Sequence, residues 1–296
     1  MSQFKSGFVS IVGRTNVGKS TLLNSYVGEK VAIISDKPQT TRWRIQGVRT
    51  YPEGQIVFID TPGIHKPKYK LSQRMVELSL QSLKDVDLIL IMVDASQPFG
   101  KGDQFVIDQL QKIRTPVFLL LNKIDLIKKE NLLPLIDTYQ SLYSFAEIIP
   151  VSALKGDNLD RLRDKILEYL PPGAPYFPPD QLTDQSERLI VAELIREKIL
   201  SHTREELPYS TTVMVDSFKT DEEKKLIRIS AIIYVDKKSQ KGIIIGKDGS
   251  LLKRIGTQAR QDIERILNSR VFLQLWVKVK KGWRQDERFL ERLGMQ

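Results

Sequence analysis

The feature that most constrains this chain is a single junction near its start. An apolar run at residues 8–12 is followed at once by Gly13-Arg14-Thr15-Asn16-Val17-Gly18-Lys19-Ser20, and then by helical apolar spacing over residues 20–27. G-x-x-x-x-G-K-[ST] between a strand and a helix is a phosphate loop. Its glycines let successive backbone N–H groups converge on phosphate oxygens, and the helix start adds partial positive charge. Lys19 is expected to reach the β- and γ-phosphates, and the Ser20 hydroxyl to ligate Mg²⁺. Residues Gly13, Arg14, Thr15, Asn16, Val17 and Gly18 form the cradle, with Thr21 in the first helical turn. A glycine-rich turn arising by chance is the alternative, and the fitting flanks argue against it.

The rest of the N-terminal half continues this pattern. Short apolar runs at residues 56–59, 88–93, 117–121 and 148–151 suit buried parallel strands and are too short for typical helices. Helix-like stretches at 71–83, 103–113, 131–143 and 159–170 lie between them. This order predicts a mostly parallel sheet covered on both faces, with residues 42–51 as an antiparallel edge. Five prolines in residues 171–179 can extend neither helix nor sheet. The expected division is therefore a first domain at 1–172, a linker at 173–186 and a second domain at 187–296. In the second domain, helices are predicted at 186–201 and 250–267, and strands at 211–216, 226–236 and 271–280.

Three further motifs follow strands in the first domain. Asp60-Thr61-Pro62-Gly63 falls at the strand edge where open α/β sheets bind ligands. Asp60 can hold Mg²⁺ through water, and the Gly63 N–H can meet the γ-phosphate. In Asn122-Lys123-Ile124-Asp125, the Asp125 carboxylate can accept from guanine N1–H and N2–H₂, two donors that adenine does not present together. Asn122 and Lys123 would brace the base. In Ser152-Ala153-Leu154, the Ala153 N–H can reach guanine O6. Together these four elements make GTP and GDP, with Mg²⁺, the expected cofactors, and GTP hydrolysis the expected reaction.

The set resembles the translation-factor-related GTPases, and Asp36-Lys37-Pro38-Gln39-Thr40-Thr41-Arg42 resembles the first switch of the Era branch. That resemblance implies that one of Thr40 and Thr41, with Thr41 preferred, closes on Mg²⁺ and the γ-phosphate. The catalytic set is then Lys19, Thr41, Asp60 and Gly63. Many GTPases follow the D-x-x-G glycine with a glutamine that orients water, but here Ile64 stands there. An alkyl chain cannot orient water, so intrinsic hydrolysis is expected to be slow, about 10⁻⁴ to 10⁻² s⁻¹ by analogy with slow GTPases. Asn16 matches the loop asparagine that binds K⁺ in some relatives. A bound K⁺ and a plain turn-stabilising role both stay open for it. Thr15 departs from the proline usual in relatives, which should loosen the loop without removing an N–H donor.

Charge singles out the C-terminal end. The chain carries a net charge of +10; residues 237–296 hold 15 Lys+Arg against 6 Asp+Glu, while residues 171–236 hold 8 against 12. Such a basic block favours a polyanion, either nucleic acid or an anionic membrane surface. Within it lies Gly242-Ile243-Ile244-Ile245-Gly246-Lys247-Asp248-Gly249, which contains I-G-x-x-G ahead of a helix. In KH domains a G-x-x-G loop clamps about four nucleotides of single strand. The candidate RNA contacts are Gly242, Ile245, Gly246, Lys247, Asp248 and Gly249, with Lys253 and Arg254 beside them. On the strand at 271–280, Leu273, Leu275, Val277 and Val279 are expected to face the core, and Gln274, Trp276, Lys278 and Lys280 to face out. Trp276 suits base stacking with Lys278 and Lys280 beside it, or packing under the terminal helix around Phe289. The tail Lys281-Gly282-Trp283-Arg284 continues the basic character.

The element order is that of a type II KH domain. The fold expected is thus a P-loop GTPase α/β domain with a mostly parallel sheet, followed by an α+β type II KH domain. Stretches 203–208 and 275–280 look like signatures of the Era family. By that resemblance the partner is the 3′ end of small-subunit (16S) ribosomal RNA during ribosome assembly, and a monomer is expected. A constitutive RNA binder with a vestigial nucleotide site is the alternative function. The absence of cysteine fits a reducing cytosol, with weak peripheral contact at the inner face of the membrane left open by the basic tail.

Overall fold

The computed structural model describes residues 3–64, 67, 69–111 and 113–295. The described chain divides into two compact units. The first comprises residues up to Asp184 apart from Ile33–Lys37 and Tyr69–Leu71, which group with the second unit, Gln185 onward.

The first unit is built on a six-stranded sheet: β1 (Lys5–Gly13), β2 (Ile45–Tyr51), β3 (Gly54–Asp60), β4 (Leu88–Asp94), β5 (Val117–Asn122) and β6 (Glu147–Val151), in the order β2-β3-β1-β4-β5-β6. All neighbours pair in parallel except β2, which is antiparallel to β3 as expected for the edge. The central strands are apolar throughout because helices cover both faces of a parallel sheet. Val9, Ile11, Ile56, Val57, Phe58, Leu90 and Leu119 are at most 1% exposed. The covering helices are α1 (Lys19–Val27), α2 (Lys70–Gln81), α3 (Lys101–Asp108), α4 (Leu132–Gln140) and α5 (Leu159–Tyr169).

Register places the functional residues on one edge. Ile11 pairs with Asp60, Gly13 with Met92, Asp94 with Asn122, and Asn122 with Val151. The carboxyl ends of five strands therefore finish together.

The segment read as a linker packs on the first unit. Gln55 holds it: its Oε1 accepts from the Tyr176 and Phe177 amides (2.8 and 3.0 Å), and its Nε2 donates to Phe177 O (2.8 Å). Further along, the Val48 amide of edge strand β2 donates to Leu182 O (2.8 Å). Prolines bar a new helix here but leave carbonyls that accept from a strand edge.

The second unit contains α6 (Glu187–His202), α7 (Leu207–Ser210), β7 (Thr212–Asp221), β8 (Leu226–Val235), α8 (Lys238–Ile245), α9 (Ser250–Leu267), β9 (Arg270–Val279) and α10 (Glu287–Arg292). Its sheet runs β7-β8-β9, with β7 antiparallel and β9 parallel to β8. Ile255, Ala259 and Ile263 of α9, spaced by four, pack with Val191 and Ile195 of α6 on the sheet's inner residues.

The structure corrects the sequence reading at several points. The run before Gly246 is the helix α8, not a loop, and Gly242 lies inside it. The Gln240 side chain starts it by accepting from the Asp236 and Lys237 amides (2.9 and 3.0 Å), and Ile244 is fully buried. That tertiary burial overrides the weak helix preference of β-branched residues. On β9, Val279 is 40% exposed at the strand's last position and does not join the core. Trp283, read only as part of a basic tail, is 0% exposed, with its Nε1–H donating to Ser210 O (2.9 Å).

Candidate functional site

The phosphate loop turns between β1 and α1 with Asn16 at φ 64° and Gly18 at φ 104°. A Cβ on Gly18 would lie 2.3 Å from Asn122 Nδ2, so this position admits only glycine. Asn16 tolerates its left-handed backbone because its short polar side chain does so at little cost. Arg14 is drawn away to α3, pairing with Asp103 at 2.9 Å.

Lys19 is 5% exposed, and its Nζ lies 2.8 Å from Arg14 O and 3.4 Å from Gly13 O. Burial lowers its ammonium to about 8, with the Asp60 carboxylate pulling the other way. Three oxygen groups meet beside it. Ser20 Oγ donates to Asp60 Oδ2 at 2.7 Å and lies 2.8 Å from Thr41 Oγ1, which is itself 3.4 Å from Asp60 Oδ2. Asp60 is 0% exposed, yet its Oδ1 has no hydrogen-bond partner among the described residues. Burial raises the Asp60 carboxyl, against the pull of Lys19 and Ser20. A buried carboxylate oxygen without a partner, beside two hydroxyls, fits a hard divalent cation that takes oxygen ligands. Thr40, 9% exposed, adjoins Thr41.

The D-x-x-G segment lies directly on the phosphate loop. The Ile64 amide donates to Gly13 O (3.1 Å), and a Cβ on Gly63 would fall 2.7 Å from the Thr15 backbone. Thr61 is anchored inward, donating to Ile11 O (3.0 Å). The Pro62 carbonyl accepts from Ser79 Oγ of α2 at 2.7 Å. Since the Pro62 C=O and Gly63 N–H share one planar peptide, Ser79 sets the orientation of that N–H.

In the loops expected to meet the base, Asn122 works internally. Its Nδ2 donates to Val17 O (2.7 Å) and its Oδ1 accepts from the Ala153 amide (2.9 Å), tying three loops together. The Ala153 N–H expected at guanine O6 is thus engaged by Asn122 in this structure. Asp125 is exposed; its Oδ1 accepts from Ser152 Oγ (2.6 Å), which fixes the carboxylate. Lys123 Nζ lies 2.5 Å from Asp94 Oδ2. Burial alone would raise the Asp94 carboxyl, but Lys123 and Ser96 outweigh it and hold it below the ordinary range. Leu154 is 75% exposed, and Thr21 half-buried.

Asp94 and Ser79 escaped the sequence reading. Asp94 had a readable signal, an acid ending an apolar strand level with Asn122. Ser79 had none, because its role depends on where α2 packs.

In the second unit the G-x-x-G loop turns at Gly246 (φ 73°), Asp248 (φ 51°) and Gly249 (φ 75°). A groove of about 400 Å³ opens beside it, lined by Gly249, Lys253 and Arg260 with Leu252, Leu273 and Leu275. Arg260 is held by both carboxylate oxygens of Glu264 at 2.8 Å. Of the expected RNA contacts, Gly249 and Lys253 line this groove. Gly246, Lys247 and Asp248 form the loop, Arg254 is exposed nearby on α9, and Ile245 is half-buried at the end of α8. Trp276 and Lys278 are not brought into it. They alternate along β9 with Leu273 and Leu275 and so lie on the opposite face. Lys280 pairs with Asp286 at 2.7 Å and lies over the Phe289 ring at 4.8 Å. The tryptophan that meets Phe289 is Trp283, at 6.2 Å, while Trp276 stays 57% exposed.

Comparison with known proteins adds the following. Residues 8–123 match the family model described as 50S ribosome-binding GTPase, and residues 206–284 match the KH domain model. A curated relative, GTPase Era of Alkaliphilus oremlandii, is 57% identical over 98% of this chain and 99% of its own length. A crystal structure of Era with MgGDPNP and nucleotides 1506–1542 of 16S ribosomal RNA superposes with a TM-score of 0.96, at 46% identity and 99% coverage of both chains. An Aquifex aeolicus Era variant bound to GDP and AlF4⁻ gives 0.95 at 45% identity, again covering 99% of each chain.

Proposed function

The chain belongs to the Era family of GTPases, and from that premise we propose that it is a slow Mg²⁺-dependent GTP switch that binds small-subunit ribosomal RNA near its 3′ end during subunit assembly. The observation that carries the nucleotide reading is the buried, partnerless Asp60 Oδ1 beside Ser20, Thr41 and Lys19. Ser20 and Thr41 would hold Mg²⁺ directly and Asp60 through water, where the ion supplies positive charge against phosphate oxygens. Lys19 neutralises phosphate charge, the Gly63 N–H presents a donor, and Asp125, braced by Ser152, selects guanine. A vestigial site would have no reason to keep an acid in so costly an environment.

Ile64 is 2% exposed in the apolar cluster with Val12, Ile91 and Val106, so the side chain directly after Gly63 cannot orient water. Slow intrinsic turnover follows. The RNA reading rests on the groove beside the G-x-x-G loop, on its basic and apolar lining, and on the 16S ribosomal RNA held by the superposing Era structure. No helix among the described residues is long and apolar enough to cross a membrane. The chain's likeness to Era is the ground on which we propose a cytosolic monomer.

Calorimetry with Mg²⁺ tests the nucleotide reading, with guanosine nucleotides expected to bind at least 100-fold more tightly than adenosine nucleotides. Equal affinity would overturn it. Turnover compared in KCl and NaCl decides whether Asn16 holds K⁺, equal rates removing that ion. For the switch, affinity for the 1506–1542 RNA should differ between the GTP-analogue and GDP states, because a ligand shifts only states it distinguishes.

A further inference from the structure

The groove uses only one side of β9. On the other side, register aligns a second set of residues in rows across the sheet. Lys219, Arg228 and Phe272 form one row, Ser217, Ser230 and Gln274 the next, Met214, Ile232 and Trp276 the third, and Thr212, Tyr234 and Lys278 the last. Two aromatic rings stand out of this face, Phe272 at 46% and Trp276 at 57% exposed, about 13 Å apart along the strand by strand rise. The Arg228 guanidinium lies 5.8 Å from the Phe272 ring centroid.

The C-terminal tail covers one end of the face only. There Tyr234 meets Phe289 of α10 at 4.9 Å, and Trp283 is buried nearby. The end carrying Phe272, Gln274 and Trp276 is left open. In its rows the charge is one-sided: Lys219, Arg228 and, outermost, Arg270 stand against one carboxylate, Asp221, and Lys278 is exposed in the row next to Trp276, beside the covered end. Lys219 sits directly opposite Arg228, an arrangement that costs stability in a sheet. Uncovered rings among cations that repel one another match what single-stranded nucleic acid requires: π-faces for bases and positive charge for the backbone. An acidic protein partner would use the charge but not the spaced rings.

We propose that this open face is a second contact surface for single-stranded RNA. It receives the strand that the groove holds, after the strand passes round β9, which is the edge of its sheet. Phe272 and Trp276 stack bases, Gln274 offers an amide to a base edge between them, and Arg228 and Lys278 meet phosphates. The proposal rests on the groove reading above.

The test uses the full chain and fluorescence anisotropy. RNAs of five nucleotides, long enough for the groove alone, and of about fifteen nucleotides are tiled across the 1506–1542 segment. The tightest short RNA is paired with a longer one containing it. The double variant Phe272→Ala/Trp276→Ala should bind the longer RNA about 30-fold more weakly or worse, from the loss of two stacked bases, and the short RNA equally well. Its unfolding midpoint should not move. Trp276→Phe, which keeps a ring, should recover most of that position's share. Arg228→Gln/Lys278→Gln should lower the salt slope for the longer RNA by about 1.4, at about 0.7 per phosphate contact. Unchanged affinity of the double aromatic variant for the longer RNA overturns this proposal alone, as do equal losses on both RNAs. A Lys247→Glu variant that still binds the short RNA overturns the groove reading, and the continuous path with it.

Discussion

Replacing the phosphate-loop lysine by an uncharged side chain of similar length should stabilise the nucleotide-free protein while disabling it. The Lys19 ammonium, 5% exposed, is held at about 8 against an ordinary 10.5. At about 1.4 kcal/mol per pH unit, keeping that charge in place costs about 3 kcal/mol below pH 8. Lys19→Met removes that cost, in which the attraction of Asp60 is already included, but forfeits the hydrogen bonds to Arg14 O and Gly13 O, together about 1–2 kcal/mol. A net gain of about 1–2 kcal/mol at pH 7 remains. The sign with pH follows from the lowered value. The folded wild type releases its proton near pH 8 while the unfolded chain holds one to 10.5, so wild-type stability rises across that window. The advantage of the variant should therefore shrink by about 2 kcal/mol between pH 7 and pH 9.5. Against this, GTP affinity should fall by about 10²- to 10⁴-fold, through the loss of charge-assisted hydrogen bonds to two phosphates. Urea unfolding in EDTA at the two pH values, following the transition that GDP shifts, measures the first two effects, and calorimetry the third. A variant less stable than wild type at pH 7, or a stability difference independent of pH, would refute the account of Lys19 as a charge stored at energetic cost for the nucleotide.

Two other expectations follow from buried contacts. Asn122→Ala leaves Val17 O and the Ala153 amide unsatisfied and should destabilise the first unit by about 2–4 kcal/mol, and Asn122→Asp, which keeps the acceptor for Ala153 but sets a buried carboxylate oxygen against Val17 O, should cost at least as much, read by urea unfolding. The two tryptophans of the C-terminal region should behave oppositely in the same assay on the second unit. Trp283→Ala, from a fully buried position, should cost about 3–5 kcal/mol, and Trp276→Ala, from an exposed one, at most about 0.5 kcal/mol.

The candidate nucleotide site was legible in the sequence because its chemistry is local. Asp60 and Asn122 end apolar strands, Lys19, Ser20 and Asp125 lie just past the ends of others, and parallel strands in register bring their carboxyl ends to one edge. What each residue touches there was less legible. Asn122 could be placed at the base, but its use in joining the Val17 and Ala153 loops depends on how those loops pack.

The second unit divides in the same way. Its element order and G-x-x-G loop are written in spacing, glycine and charge. The helix α8 is not, since Gly242-Ile243-Ile244-Ile245 has no helical preference of its own and is helical because Ile244 is buried and Gln240 caps its start. Nor does alternation along residues 271–280 reveal which face a helix will cover and which will stay open. Short-range pattern determined which groups the chain carries and where each strand ends. Only tertiary packing decided which tryptophan is buried, which carboxylate oxygen is left without a partner, and which face of β9 meets solvent, because burial is settled by elements distant in the chain.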